Sequence, residues 1–173
     1  MTKTSALRKD EICELSEAQE KILVLESEMR KLPQLDLKVT HHFAPGVYVR
    51  ELFIPAGTLL IGKIHKTEHM NIILMGQISI ADAVSDIAGS KVIDAPHIMV
   101  SKPGTKRAGY AHKATIWVTI HPTKETDLKK IEADVIAKDF SEIKGLKHDV
   151  NEILPSKAKS DIIGMLEQMG VMQ

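Results

Sequence analysis

Short strand patterns separated by Gly and Pro turn signals run through the middle of the chain, from Gly46 to His121. The alternation of apolar and polar residues between these signals predicts eight strands. They are residues 47–54, 58–65, 70–75, 77–83, 91–94, 97–101, 107–112 and 114–121. Gly76 is predicted to be the turn of a hairpin between the third and fourth strands. Eight short strands at this spacing favour an antiparallel sandwich or barrel over a parallel sheet.

Composition excludes several classes of protein. The 173 residues, 43% of them hydrophobic, suffice for one domain with a real core and appended elements. The 23 basic and 23 acidic residues cancel, so there is no overall basic field to attract a nucleic acid. A single cysteine, Cys13, indicates a reducing compartment. Because the chain shows neither a signal peptide nor a run of about 18 apolar residues, we expect no membrane partner and a cytoplasmic location.

Amphipathic helices are predicted at both ends of the chain. Residues 5–32 contain no Gly or Pro before Pro33, and their apolar positions form one stripe. This stripe includes Leu15, Ile22, Leu25 and Met29. It could join two copies of the chain, lie across its own β-domain or enter a partner's groove. A second helix is predicted over residues 156–169.

The predicted organisation is therefore an N-terminal helical arm (1–36), a β-barrel (46–137) and a C-terminal helical tail (138–173). One segment inside this scheme stays open. Residues 131–137 alternate apolar and polar types over a length that suits either a ninth strand or a short helix.

Two segments of the central region resemble the paired motifs of cupins. The first is Gly62-Lys-Ile-His-Lys-Thr-Glu-His69, followed by Asn71 to Gly76. The second extends from Val92 through Pro103-Gly104-Thr-Lys-Arg107. The resemblance implies a mainly β fold, a small antiparallel jelly-roll barrel of the double-stranded β-helix type, flanked here by an N-terminal and a C-terminal helix.

The sequence departs from the ligand pattern of metal-binding cupins. In that family the first motif carries His-x-His and then Glu, and the second carries Pro-x-Gly-x-x-His. Here His65 matches the first histidine, Thr67 stands at the second, and Asn71 stands near the glutamate. Arg107 takes the place of the histidine in the second motif. One ligand of the family pattern remains.

Other histidines could complete a site for a divalent transition metal. His69 follows His65 closely, and His112 and His121 lie in strands that should face this junction in a jelly roll. We predict His65, His69 and His112 as the ligands, because neutral imidazoles suit such ions. The alternatives are that His69 points outward and that His112 lies in a turn.

Three further residues are predicted to bind a ligand or form an ion pair. They are Glu68, Arg107 and His121. Arg107 could pair with Glu68 across the barrel mouth or bind an anionic ligand.

A longer run, from His41 to Thr58, adds a more specific resemblance. Together with Gly62-Lys-Ile-His65 and Pro103-Gly-Thr-Lys-Arg107, it is similar to small cupin-like proteins encoded by tailed bacteriophages. The resemblance implies a phage structural or assembly protein without enzymatic activity, a virion component or adaptor. Its expected partners are further copies of itself and other phage structural proteins, and its expected place is the host cytoplasm during assembly or the virion.

Two alternatives belong to other classes of function. One is a metal-dependent cupin enzyme of isomerase or oxygenase type. The other is a sugar- or anion-binding module that uses Arg107, Tyr110 and Trp117. The aromatic content of 3% leaves few side chains to hold an organic substrate, which weighs against an enzyme.

Overall fold

Strands dominate the part of the chain that the computed structural model describes, residues 17–82, 90–143, 163–164, 166–167 and 170–171. Its elements are α1 (Glu17–Met29), β1 (Val39–Ala44), β2 (Val47–Ile54), β3 (Leu59–Ile61), β4 (Ile64–His65), β5 (His69–Asp82), β6 (Lys91–Asp94), β7 (His97–Ser101), β8 (Arg107–Pro122), α2 (Leu128–Val135), β9 (Ile136–Ala137) and a 3-10 turn (Phe140–Glu142). No helix in these ranges is long and apolar enough to cross a membrane.

All strand pairs are antiparallel. Seven strands form one sheet in the order β1-β2-β8-β5-β6, with β3 also paired to β8 and β7 to β5. The short strands β4 and β9 form a second sheet. A core of isoleucine and leucine side chains, Ile73 and Ile78 among them, fills the space that the large sheet encloses. The predicted mainly β, antiparallel fold is confirmed.

The strand boundaries correct the sequence prediction at Gly76. The predicted hairpin there is wrong, because β5 passes through this residue as one strand of 14 residues. Register shifts on both sides of Gly76 mark a β-bulge against β8. Gly76 has φ +96°, a conformation that glycine adopts without strain. Residues 107–122 are likewise one strand, and β1 lies outside the eight predicted strands.

The segment that stayed open in the sequence contains both a helix and a strand. Asp127 caps α2, since its carboxylate accepts hydrogen bonds from the backbone N–H groups of Lys129 and Lys130. The helix ends at Val135, and the next two residues pair with β4 as β9. This pairing holds His65 opposite Ile136.

Helix α1 packs against its own barrel. Ile22 and Leu25 are buried with Ala81 and Ala108, at the far end of the β5–β8 pair. An ion pair of 3.0 Å between Glu26 and the buried Lys106 reinforces the contact.

The predicted role of this stripe in oligomerisation is therefore corrected for the residues that the structure describes. We call the buried set Ile22, Leu25, Ala81 and Ala108 the α1 cluster. Met29, Leu166 and Val171 also pack on it, so the apolar stripe is buried by contacts within the same chain. Leu15 lies outside the described residues, as does most of the predicted C-terminal helix.

Candidate metal centre

Three histidines converge inside the barrel. One ring nitrogen from each of His65, His69 and His121 lies within 4.8 Å of the others. The ring centroids are 4.0 Å apart for His65 and His69, 4.9 Å for His69 and His121, and 5.2 Å for His65 and His121. Three imidazoles this close together are candidate ligands of one ion.

Strand register explains why these residues meet. Met70 pairs with Ile120, so the next step along the two strands brings His69 opposite His121. Both side chains point inward and are buried, at 4% and 2% exposure. The expectation that His69 could point outward is therefore wrong. His65 reaches them from β4.

Hydrogen bonding leaves the ring nitrogens available. His69 Nδ1 lies 3.0 Å from the Thr67 carbonyl, which can only accept, so Nδ1 carries the proton and Nε2 keeps its lone pair. Within the described residues, Nδ1 of His65 and Nδ1 of His121 are buried and have no hydrogen-bond partner. Because a buried polar atom without a partner is costly, this arrangement fits a bound ion.

Burial also keeps the three imidazoles neutral. It lowers the pKa of His65 to about 2, and the neighbouring His69 and His121 act in the same direction. It lowers the pKa of His121 to about 4 and that of His69 below its ordinary value. At neutral pH the cluster therefore presents lone pairs rather than positive charges, which is the state that metal binding requires.

The three histidines line a cavity of about 390 Å³. Its apolar wall includes Leu52, Leu60, Trp117 and Ile131. Its charged lining residues are Arg50, Lys63, Arg107 and Glu132. A mostly apolar cavity with a few convergent polar groups is the usual form of a small-molecule site.

Asn71 holds one wall of the cavity in place. Its side-chain oxygen accepts hydrogen bonds from Trp117 Nε1 at 2.9 Å and Thr119 Oγ1 at 3.2 Å. Its side-chain nitrogen donates to Ser101 Oγ at 2.7 Å, and Arg107 donates to the same oxygen at 2.6 Å. Asn71, which stands near the position of the glutamate in the cupin motif, therefore connects β5 with β7 and β8.

The predicted pairing of Arg107 with Glu68 is wrong. Arg107 forms its ion pair with Asp82 at 2.8 Å, while Glu68 is exposed. The reason is register, since Asp82 stands directly opposite Arg107 in the β5–β8 ladder.

His112 is not part of the cluster, which corrects the predicted ligand set. Its Nε2 lies 2.7 Å from Ser79 Oγ, and its ring packs edge-on against Tyr110. His121, predicted only as a ligand or ion-pair residue, takes the third position.

The three residues of the predicted sugar- or anion-binding module lie in different places. Tyr110 packs on the α1 cluster outside the barrel, whereas Arg107 and Trp117 line the cavity.

Alternation along β8 contains the signal that separates the two histidines. The odd-numbered residues Ala111, Thr115 and Thr119 are buried in the barrel, so His121 shares their face and His112 has the opposite one. The sequence prediction placed a break between two strands, 107–112 and 114–121. Across such a break, the inward faces of the two strands are independent, so the alternation could not be followed from His112 to His121.

No protein-family model and no curated protein sequence matches this chain. Solved structures with a similar fold include a cupin-2 domain protein from Shewanella frigidimarina (14% identity, TM-score 0.39, 61% of this chain and 98% of that one). Another is an RmlC-like cupin with a double-stranded β-helix fold from Methanocaldococcus jannaschii (14%, 0.41, 56% and 86%). A third is hydroxypropylphosphonic acid epoxidase from S. wedmorenis (9%, 0.40), of whose length the chain spans 58%. Two of these three structures are described as cupins, and identities and TM-scores this low concern no more than the fold.

Proposed function

We propose that His65, His69 and His121 bind a divalent transition metal and that the cavity takes up a small molecule beside it. The observation that carries this proposal is the convergence of three neutral imidazoles, two buried and one half-buried, two of them with an unpartnered nitrogen. Imidazole is a preferred ligand of zinc, copper, iron and nickel.

Three protein ligands leave a coordination position for an incoming molecule. A bound divalent ion supplies Lewis-acid polarisation of an oxygen atom. The residues of this chain position and shield that molecule. Thr67 orients the His69 ring, the Asn71 network holds Trp117 against the cavity, and α2 covers one side with Ile131.

A structural role in a bacteriophage stays a prediction. Three residues of the N-terminal stripe that could have joined copies of the chain, Ile22, Leu25 and Met29, pack on the barrel of the same chain. Isomerase and oxygenase activities likewise stay predictions, since the site specifies ligands for an ion and not a reaction.

The test of the metal proposal is the metal content of the purified protein and its titration with Co²⁺ and Zn²⁺. We expect close to one equivalent per chain and a Co²⁺ absorption spectrum of low coordination number, because three histidines converge on one point. Elemental mass spectrometry and the visible spectrum are the measurements. Protein that stays metal-free after incubation with a molar excess of both ions would overturn the proposal.

A further inference from the structure

One guanidinium in the cavity forms no direct ion pair within the described residues, although Glu132 lies near enough to feel its charge. Lys63 pairs with Glu132, and Arg107 pairs with Asp82. Arg50, which is half-buried and lines the same cavity, makes no hydrogen bond or ion pair within the described residues. The charged groups of the cavity therefore leave one positive charge unbalanced.

Arg50 lies close to the histidine cluster. On β2 it stands opposite Thr119, and its neighbour on the same face, Tyr48, stands opposite His121. Such diagonal neighbours on adjacent strands are about 7–8 Å apart, within reach of an arginine side chain. The Arg50 charge contributes to the lowered pKa values of both His65 and His121, which agrees with this placement.

We propose that Arg50 binds the carboxylate of a small organic acid whose apolar part lies against Leu52, Leu60 and Trp117. This inference rests on the proposed metal site, because three neutral ligands leave the ion's double positive charge uncompensated and so favour an anionic guest. A guanidinium matches a carboxylate with two parallel hydrogen bonds.

Calorimetric titration of the metal-loaded protein with hexanoate and with its neutral amide, hexanamide, tests the assignment. We expect Arg50→Gln to weaken hexanoate binding by about 10- to 100-fold, the usual worth of a charge-assisted pair. Hexanamide should bind the wild-type protein and the variant equally weakly. Arg50→Lys should recover only part of the loss, since lysine keeps the charge without the fork.

The matched control is Arg30→Gln, which removes an exposed guanidinium from α1. Hexanoate affinity that is absent in the wild type, or unchanged in Arg50→Gln, would overturn the anion subsite. Metal content is measured separately on every variant. If hexanoate bound metal-free protein and this binding depended on Arg50, the subsite would be supported and the metal proposal would fail. If Arg50→Gln kept its metal and its hexanoate affinity, the metal proposal would stand and the subsite would be overturned.

A second inference concerns the outer face of the sheet. Cross-strand pairs place apolar side chains in three rows across β2, β8, β5 and β7. The rows are Val49-Ile120-Met70-Val100, Glu51-Val118-Ile72-Ile98 and Phe53-Ile116-Met75. We call this set the outer apolar grid. Glu51 is its only charged member.

The grid is open to solvent, whereas the other end of the same face is covered by α1. Ile98 is 62% exposed and Val100 57%, while Ala81 and Ala108 are buried beneath the helix. Phe53, Met70 and Met75 are also 38–43% exposed, so the grid forms a contiguous apolar patch of roughly several hundred Å², the size that marks an interaction surface.

We infer that the outer apolar grid is the interface with a second copy of this chain. An apolar face with one charge is complementary to itself, since two sheets can pack face to face around a two-fold axis. It offers no pattern of charges by which a different partner would be selected.

Sedimentation velocity at micromolar concentration tests the interface. The wild-type protein should sediment as a dimer and Ile98→Asp as a folded monomer, because burying a charge in this face is unfavourable. Val92→Asp is the control, since Val92 is 52% exposed on β6 outside the grid and its variant should stay dimeric. A monomeric wild type, or a dimer that survives Ile98→Asp, would overturn the inference. Circular dichroism checks that each variant folds.

Discussion

His121→Ala should lose the bound metal, with a fall in affinity of more than about 100-fold. Loss of a partner outside the ligand sphere already costs about 10- to 100-fold, and His121 is one of the three ligands that we propose among the described residues. The measurement is competition for Zn²⁺ against a chelator of known affinity. In the absence of metal, the unfolding temperature of His121→Ala should differ little from that of the wild type. In the presence of metal the difference should be larger, because a ligand that binds only the native state stabilises it.

His112→Ala is the matched control, since both residues are histidines of the same strand. His112 bonds Ser79 outside the cluster, so its removal should leave the metal stoichiometry and affinity unchanged. If His112→Ala released the metal and His121→Ala retained it, the ligand set read from the structure would be wrong and the set predicted from the sequence would be correct.

Gly76→Ala should destabilise the fold by about 2–5 kcal/mol, which is the sum of a left-handed backbone cost and the cost of overpacking. Gly76 has φ +96°, and a Cβ atom there would collide with the Ala114 carbonyl and the Thr115 side chain. Urea unfolding, followed by circular dichroism, measures the loss.

Gly57→Ala separates the two causes. Gly57 has a similar φ of +77°, but a Cβ atom added there meets nothing within 4 Å. Its cost should therefore be about 1–2 kcal/mol, from the backbone alone. Equal losses at the two positions would show that the bulge tolerates a side chain and that close packing at Gly76 contributes nothing.

The third ligand shows where local sequence information ended. His65 and His69 are four residues apart, so their proximity could be predicted from the chain itself. Their meeting with His121 depends on the register between β5 and β8, which connects residues about 50 positions apart. The irregularities around Gly76 shift this register, and a shift by one residue turns every side chain to the other face.

The α1 stripe shows the same limit for surfaces. The spacing of its apolar residues could be read from the sequence. The same spacing of Ile22 and Leu25 is expected on a helix that docks to a partner and on one that packs against its own domain. Conversely, Ile116, Val118 and Ile120 form an apolar face of β8 that points outward, while the polar and aromatic face with Trp117 and Thr119 points into the cavity.

The sequence by itself determined the mainly β antiparallel class and two of the three clustered histidines. Turn residues, alternation of apolar and polar types and short spacings between residues involve neighbouring positions only, so they can be recognised in the sequence. Only the tertiary structure decided the third histidine, the partner of Arg107 and the face that each strand turns inward. These depend on pairing between distant strands, whose free energy is set by burial and hydrogen bonding across the whole barrel.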